Sequence, residues 1–280
     1  MSLCAKNNLT MPNAMQNALA EGAANDKPAD TFTQAMQLRG KAFRDVPGRK
    51  TLQFTLAGKS YFIKQHFGVG WREIFKNLLS FKMPILGALT EVKAIEKLDT
   101  IGIATTPLVA YGQRGCNPAK QQSFVITEDL GEIITVEELC ADWQSKPIDF
   151  KQQLLEKMAN LASQLHGAGL CHRDFYCCHF VLKKADLAQG HLHLTLIDLH
   201  RMLFNQSKNG SSVMKDISGL YFSAKQAGLS AEDLTLFKQH YLPQSEQFWQ
   251  QVEARSERLL SKFNSAKFQE KLVKDRQRLS

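Results

Sequence analysis

This sequence of 280 residues lacks the features of membrane-spanning, secreted and disulfide-rich proteins. It has no apolar run that approaches the roughly 18 residues needed to cross a bilayer. Its N-terminus shows no basic segment followed by an apolar one, as a secretory signal would. Its 6 cysteines form no C-x-x-C pair, and Cys177 and Cys178 are adjacent, which argues against a thiolate zinc site and a disulfide framework. We therefore expect a reduced, cytoplasmic protein that can lie on a membrane surface without crossing it.

Glycine and proline, at 17 and 8 residues, are too scarce for a collagen-like or low-complexity chain. The 44% of apolar and 22% of charged residues are typical of a globular protein, and the length allows one large domain or two small ones. The net charge is +8; the basic excess lies in the first hundred residues and the last thirty. Such charge suits anionic lipid, an acidic protein or nucleic acid. Nucleic acid is the least favoured, because aromatic residues are not interleaved with the basic ones.

The first half of the chain reads as strands followed by helices. Short alternating segments with tight turns predict an antiparallel meander of three strands over residues 42–66. A helix within residues 68–86 and a second one over 90–99, with Thr90 as its N-cap, come next. Strands are expected over 107–111 and 122–127.

The second half reads as mainly helical, with helices over 135–143 and 150–166, a strand over 191–198 and helices from Met214 onward. This order indicates an α+β fold of two lobes with a cleft between them. We divide the chain into an N-terminal mobile tail or weak helix over 1–37, a nucleotide-binding lobe over 38–127, and a mainly helical lobe over 128–280.

The motif that carries chemistry is H-R-D at residues 172–174, the start of the kinase catalytic loop. In that loop the aspartate, here Asp174, orients the attacking hydroxyl and accepts its proton. Kinases place a metal-binding Asn five residues later, where this sequence has His179. An isolated H-R-D is a weak signal, and it gains weight from three partners at the expected spacing.

Those partners are Lys64, Glu91 and Asp198. Lys64 closes the third strand of the meander, where a kinase keeps the lysine that holds the α- and β-phosphates. Glu91 opens the following helix and is placed to pair with that lysine. Asp198 follows a predicted strand, where a kinase keeps its Mg²⁺-binding aspartate. Because ATP and its acceptor both carry negative charge near the reacting atoms, phosphoryl transfer requires such cations together with one oriented carboxylate.

The sequence departs from the protein-kinase pattern at three places. It contains no G-x-G-x-x-G, so the amides of the turn at Gly48, with Arg49, are the candidates for covering the phosphates. Its D-F-G position reads Asp198-Leu199-His200 and lacks the glycine. His179 replaces the asparagine, and imidazole is a poorer ligand for Mg²⁺ than oxygen donors are.

Four stretches make the resemblance more specific: C-H-R-D-F-Y-C-C-H-F-V-L from residue 171, I-D-L-H-R from 197, G-V-G-W-R-E-I-F-K-N-L-L from 68, and K-D-I-S-G-L-Y-F-S-A from 215. Together they resemble the bacterial lipopolysaccharide core heptose(I) kinase family, within the protein-kinase-like superfamily. The resemblance implies a kinase-like fold that uses ATP and Mg²⁺ to phosphorylate the first heptose of the inner core, at the cytoplasmic face of the inner membrane.

The resemblance also implies roles for individual residues. Asp174 is the expected catalytic base, Asp198 and His179 are the candidate metal ligands, and Asp216 is expected to brace the catalytic loop. The expected nucleotide-binding residues are Gly48, Arg49, Lys64, Glu91, Glu128 and Leu130. The candidate contacts to the acceptor are Arg173, His200 and Arg201.

Two segments allow more than one interpretation. The helix from Trp71 to Leu79 either packs its apolar stripe on the first lobe or lies in the interface of an anionic membrane. The basic, amphipathic tail over residues 255–278 suits a membrane surface or an acidic helical protein, for which acyl carrier protein is one hypothesis. Three alternatives to a heptose kinase stay open: a Kdo kinase, another small-molecule or antibiotic phosphotransferase, and a kinase-shaped binding protein with little turnover.

Overall fold

The computed structural model describes residues 8–21, 30–68, 70–71 and 87–277. The chain divides into two compact units. The first contains residues up to Gly131 together with Asp198–Arg201, and the second contains Glu132–Ile197 and the chain from Met202 onward. The short segment that begins at the D-L-H position therefore belongs to the first unit, although its sequence neighbours on both sides belong to the second.

The first unit is built on a six-stranded sheet with the strand order β1-β5-β6-β4-β3-β2. Neighbouring strands are antiparallel throughout. The strands are β1 (Asn8–Thr10), β2 (Lys41–Val46), β3 (Arg49–Leu56), β4 (Lys59–His66), β5 (Leu108–Arg114) and β6 (Gln122–Glu128). The predicted meander is thus confirmed as β2, β3 and β4. The turn between β2 and β3 is a two-residue turn in which Gly48 has φ 82°, a conformation that favours glycine.

Helices cover both faces of this sheet. Helices α1 (Asn13–Glu21) and α2 (Thr31–Gln37) contribute to one apolar cluster on one face, with Ile63 at its centre. Helix α3 (Leu89–Thr100) packs on the opposite face against Val125. The unit therefore has three layers, with the sheet in the middle, and residues that alternate along β4 face different helices.

Of the two interpretations of the N-terminal segment, a mobile tail or a weak helix, the described part agrees with the helical one. In the described part of that segment, β1 pairs with β5, and the apolar side chains of α1 and α2 are buried. Met11, Met15 and Leu19 recur every fourth residue and join the same cluster as Phe32. Helical spacing places these side chains on one face, which the surrounding Asn, Ala and Gln residues obscure in the sequence.

The second unit is mainly helical and contains a small antiparallel sheet of β7 (Ile133–Thr135), β8 (Phe180–Lys183) and β9 (Thr195–Leu196). Its helices are α4 (Val136–Leu139), α5 (Ile148–Gly167), α6 (Lys184–Ala188), α7 (Ser211–Gln226), α8 (Ala231–His240), α9 (Glu246–Asn264) and α10 (Ala266–Gln277). Short 3-10 helices cover Cys140–Ser145 and Cys177–His179, and a third, Leu199–Arg201, lies in the first unit.

Several predicted boundaries need correction. The strand expected over 191–198 is limited to β9, and the helix expected over 135–143 is α4 followed by a 3-10 segment. The N-cap of α3 is Ala88, not Thr90, and its backbone N–H donates to Ser123 Oγ. Most of the helix expected over 68–86 lies outside the described residues. Cys116 is disulfide-bonded, so the expectation of a fully reduced chain is wrong for this residue.

Candidate functional site

Lys64 is the centre of a charged cluster in the first unit. Its Nζ donates to Glu91 Oε1 at 2.6 Å and to Asp198 Oδ1 at 3.2 Å. Strand β4 supplies the lysine, α3 supplies Glu91, and the segment after β9 supplies Asp198. The three residues that were predicted from spacing are therefore brought together, and Lys64 bonds both carboxylates at once.

The burial of these ion pairs affects the pKa of Lys64. The Lys64 side chain is 19% exposed and that of Glu91 only 4%. Burial alone would lower the pKa of Lys64, but the charges of Glu91 and Asp198 and the hydrogen bond to Glu91 raise it above its ordinary value. Lys64 is therefore a cation at neutral pH, ready to face anionic oxygens.

Asp198 is held in an unusual conformation by its neighbour at the third position of the D-L-H sequence. Its φ of 62° lies in the left-handed region, which costs free energy for a residue other than glycine. His200 Nδ1 lies 2.6 Å from Asp198 Oδ1. Burial would raise the pKa of Asp198, but the hydrogen bonds and positive charges of His200 and Lys64 outweigh burial and hold it well below its ordinary value. The carboxylate is therefore ionised at any physiological pH.

The other predicted nucleotide residues lie in the same unit. Arg49 follows the Gly48 turn, and burial and the charge of Arg44 lower its pKa, while the carboxylates of Glu91 and Asp198 oppose that effect. Glu128 ends β6 with its side chain exposed, and its backbone N–H donates to the carbonyl of Pro107. Leu130 follows in the segment that leads out of the unit and is half-buried.

Asp129, between Glu128 and Leu130, connects this segment to the sheet by hydrogen bonds. No sequence motif indicates this role. Its carboxylate accepts hydrogen bonds from Gln53 Nε2 at 2.6 Å, Ser60 Oγ at 2.7 Å and the backbone N–H of Gly131 at 2.9 Å. Burial would raise the pKa of Asp129, but these hydrogen bonds lower it. Gln53 and Ser60 are distant from Asp129 in sequence, so no local pattern could have revealed these two contacts.

The H-R-D loop of the second unit, the predicted catalytic loop, is held by one carboxylate. Asp216, on α7, accepts from the backbone N–H of His172 at 2.6 Å and from that of Arg173 at 2.8 Å. Arg173 has φ 71°, so the backbone directly before Asp174 is in the left-handed region and requires such support. The bracing role expected for Asp216 matches this geometry.

Two histidines flank Asp174 in the loop, and their contacts imply their tautomers. His172 Nε2 lies 2.9 Å from the carbonyl oxygen of Ile197, and His179 Nδ1 lies 2.5 Å from that of Asp174. Because a carbonyl oxygen only accepts, each of these ring nitrogens carries the hydrogen. Burial lowers the pKa of His172, which is fully buried. If His179 binds a metal ion, it must do so through Nε2.

Behind the loop, a buried network that the sequence analysis did not anticipate extends the support of Asp216. His166 Nδ1 lies 2.7 Å from Tyr241 Oη, and its Nε2 lies 3.4 Å from Asp216 Oδ2. His166, Cys171 and Asp216 also approach one another closely enough for a metal site. However, burial raises the pKa of the Cys171 thiol to about 12, and both Asp216 oxygens already accept backbone hydrogen bonds. The group is therefore a hydrogen-bond network.

The predicted site residues thus form two sets, each within its own unit. The first set contains Gly48, Arg49, Lys64, Glu91, Glu128, Leu130, Asp198, His200 and Arg201. Arg201 is half-buried at the end of its 3-10 helix. The second set contains Arg173, Asp174 and His179.

Comparison with known proteins identifies the family. Residues 33–241 match the model of the lipopolysaccharide kinase (Kdo/WaaP) family. The chain belongs to this family. The resemblance inferred from the four sequence stretches is confirmed, and so is the phosphotransferase class.

Individual relatives agree with that assignment. The lipopolysaccharide core heptose(I) kinase WaaP of Escherichia coli is 42% identical over 215 residues, which cover 76% of this chain and 81% of the relative. The enzyme of the same name from Pseudomonas aeruginosa is 40% identical over 76% of this chain and 80% of its own. Membership of this kinase family implies ATP as the phosphate donor.

A solved structure of a family member supports the fold. The structure described as WaaP in complex with acyl carrier protein matches 92% of this chain and 100% of its own, with a TM-score of 0.74 and 31% identity. The kinase-like α+β fold predicted from the sequence is therefore confirmed. Among the described helices, none combines the length and the apolar character that crossing a membrane requires.

Proposed function

We propose that this chain transfers a phosphoryl group from ATP to a heptose hydroxyl of the lipopolysaccharide inner core. The observation that carries the proposal is the Lys64 amine bonded to both Glu91 and Asp198, in a chain about 40% identical to heptose(I) kinases. A cation held between two carboxylates remains charged and oriented, which is what contact with nucleotide phosphates requires.

Within this proposal, Lys64 contacts the phosphates, and Glu91 keeps its amine in position. Arg49 and the backbone of the Gly48 turn cover the phosphates in place of a glycine-rich loop. Glu128 and Leu130 bind the base, at a segment that Asp129 ties to the sheet.

Asp198 is the proposed Mg²⁺ ligand, and His179 the second candidate. The donor set fits in part: Asp198 is an ionised oxygen donor, which Mg²⁺ prefers, whereas His179 offers only the less suitable Nε2. The bound ion would neutralise charge on the phosphates of ATP. His200 and Lys64 hold the Asp198 carboxylate in its orientation.

Asp174 is the proposed general base, which orients the heptose hydroxyl and accepts its proton. Asp216 accepts hydrogen bonds from the two backbone N–H groups directly before Asp174, and it thereby helps to orient the segment that carries the Asp174 carboxylate. Arg173, His200 and Arg201 are the proposed contacts to the phosphates or sugars of the acceptor.

The proposed partners are the core glycolipid and an acidic carrier protein, at the inner face of the inner membrane. The structural relative was solved with acyl carrier protein. In this chain, α9 and α10 carry most of the basic tail, largely on exposed side chains. A pull-down at moderate salt with acyl carrier protein and with anionic vesicles tests this assignment. If neither acyl carrier protein nor vesicles are recovered, the basic tail is not the binding site for these partners.

The function itself is tested with purified core lipopolysaccharide that lacks phosphate on its first heptose. ATP consumption and phosphate incorporation into the heptose are expected with the wild-type chain, and Asp174→Ala should abolish both. Incorporation into Kdo instead would show a Kdo kinase. Binding of the glycolipid without ATP consumption would show a binding protein with the shape of a kinase.

A further inference from the structure

The end of β4 carries a buried histidine with one unpaired ring nitrogen among the described residues. His66 is 2% exposed, and its Nε2 has no hydrogen-bond partner within the described part of the chain. The same is true of the buried Nε atom of Arg49. Buried polar atoms nearly always have a partner, so two such atoms in one place require an explanation.

The register of the sheet places these two residues side by side. Arg49 on β3 lies opposite His66 on β4, and Thr51 lies opposite Lys64. Because side chains alternate along a strand, Arg49, His66 and Lys64 share one face of the sheet. Gln65 points to the other face, where its Nε2 donates to the carbonyl of Ala35 at 2.9 Å.

The surroundings of His66 are positively charged. Burial is the largest cause that lowers its pKa, to about 3, and the charges of Arg49 and Lys64 add to it. The ring is therefore neutral at pH 7, with one N–H to donate. A neutral donor among cations is suited to an anionic oxygen, because that oxygen accepts the hydrogen bond and is attracted by the neighbouring positive charges.

We propose that His66 Nε2, in its N–H tautomer, and Arg49 Nε donate to one phosphate oxygen beside Lys64. This inference rests on the proposed kinase function and extends the nucleotide site by a residue that no motif predicts. Two ligands of the proposed reaction offer a phosphate oxygen to His66 and Arg49: the nucleotide and a phosphorylated glycolipid. The proximity of Lys64 favours the nucleotide.

Three variants separate binding from structure. His66→Leu removes the donor and leaves an apolar side chain, His66→Gln keeps an amide donor, and Gln65→Leu is the matched control on the opposite face. Nucleotide affinity is measured by calorimetry with ATP, ADP and AMP, and thermal melting is recorded without ligand. The acceptor arm measures binding of phosphorylated core lipopolysaccharide.

His66→Leu is expected to weaken ATP binding about 10-fold or more, since a hydrogen bond to a charged group is lost. Its melting temperature should stay close to that of the wild type, because the substitution removes a buried Nε2 that has no partner among the described residues. His66→Gln should recover part of the affinity. Gln65→Leu should melt earlier and bind ATP as the wild type does.

The possible outcomes distinguish the proposed role of His66 from the proposed kinase function. Loss of affinity for the glycolipid alone would assign the oxygen to the acceptor. Unchanged affinity for both ligands in His66→Leu, together with a lower melting temperature, would overturn the inference and show a structural histidine. A wild-type chain that binds no nucleotide would instead refute the proposed function.

Discussion

The two sets of site residues are held in place by different means. In the first unit, Lys64, Glu91, Asp198 and His200 are joined by contacts between ionisable side chains. In the second unit, a single carboxylate, that of Asp216, accepts from two backbone N–H groups of the catalytic loop. The contacts in the first unit set the charge states of its side chains. The hydrogen bonds in the second unit fix the conformation of the loop backbone.

The two units nevertheless share one feature, a residue other than glycine in the left-handed region. Asp198 has φ 62° and Arg173 has φ 71°. Such conformations persist only where the surroundings hold them, and they are common at functional sites. Side-chain contacts from His200 and Lys64 support Asp198, whereas Asp216 supports Arg173 through the backbone. Substitutions that remove charge and substitutions that remove a backbone partner should therefore have different consequences.

The largest effect is expected at Asp174. Asp174→Asn should lower the turnover number about 10³-fold, because general base catalysis contributes on this scale. Its melting temperature and ATP affinity should change little. Phosphate transfer to core lipopolysaccharide measures the effect, and Asp149→Asn, an exposed carboxylate of the same unit, is the control. An Asp174→Asn enzyme with normal turnover would exclude Asp174 as the base.

The next prediction concerns Lys64, whose substitution disrupts the charged cluster of the first unit. Lys64→Met leaves the nearly buried Glu91 carboxylate without its cation and should destabilise the chain by about 3 kcal/mol, in addition to the loss of ATP turnover. The double variant Lys64→Met/Glu91→Gln should recover most of the stability but none of the activity. Urea denaturation measures the difference. A double variant as unstable as the single one would show that charge balance does not govern this unit.

The next prediction concerns Asp216, whose substitution removes the support of the predicted catalytic loop. Asp216→Ala leaves the buried N–H group of His172 and the partly buried one of Arg173 without this acceptor, and it should cost about 2–4 kcal/mol of stability and lower the turnover number. ATP affinity should remain unchanged, since the proposed nucleotide-binding residues belong to the first unit. Asp216→Asn retains one acceptor oxygen and should lie between Ala and the wild type. Equal losses in ATP affinity and turnover would contradict the separation of the two roles.

The smallest effect is a pH dependence that originates in His66. Its pKa in the folded chain, about 3, lies below its ordinary 6.5, so the unfolded chain binds more protons between these values. Stability therefore falls as the pH drops below about 6.5. His66→Leu should reduce the loss between pH 7.5 and pH 5 by about 2 kcal/mol. His172, whose pKa is also lowered by burial, contributes equally to both proteins. Identical pH profiles would contradict the assigned pKa.

Spacing and residue type were sufficient to predict which charged residues lie together in the first unit, whereas the catalytic roles of the candidate residues stay a prediction. The H-R-D sequence and the distances to Lys64, Glu91 and Asp198 predicted residues that the structure places in contact within the first unit or in the catalytic loop of the second. The meander was equally predictable, because alternation along strands and the Pro47-Gly48 turn are local signals.

Contacts between residues distant in sequence were not predictable. His66, Asp129 and Tyr241 act through partners on other strands and helices, so no local pattern marks them. The N-terminal helices were predicted only in part, as one of two interpretations of that segment, for a different reason. Their apolar residues are few and separated by polar ones, and tertiary packing against the sheet supplies most of their stability.

Mass spectrometry of the lipopolysaccharide core from a deletion strain shows whether this chain phosphorylates heptose. The core of that strain should lack one phosphate on its first heptose. The wild-type chain should restore that phosphate, whereas Asp174→Asn should not. A deletion strain whose heptose keeps its phosphate, or that loses phosphate from Kdo alone, would show that this chain is not a heptose kinase.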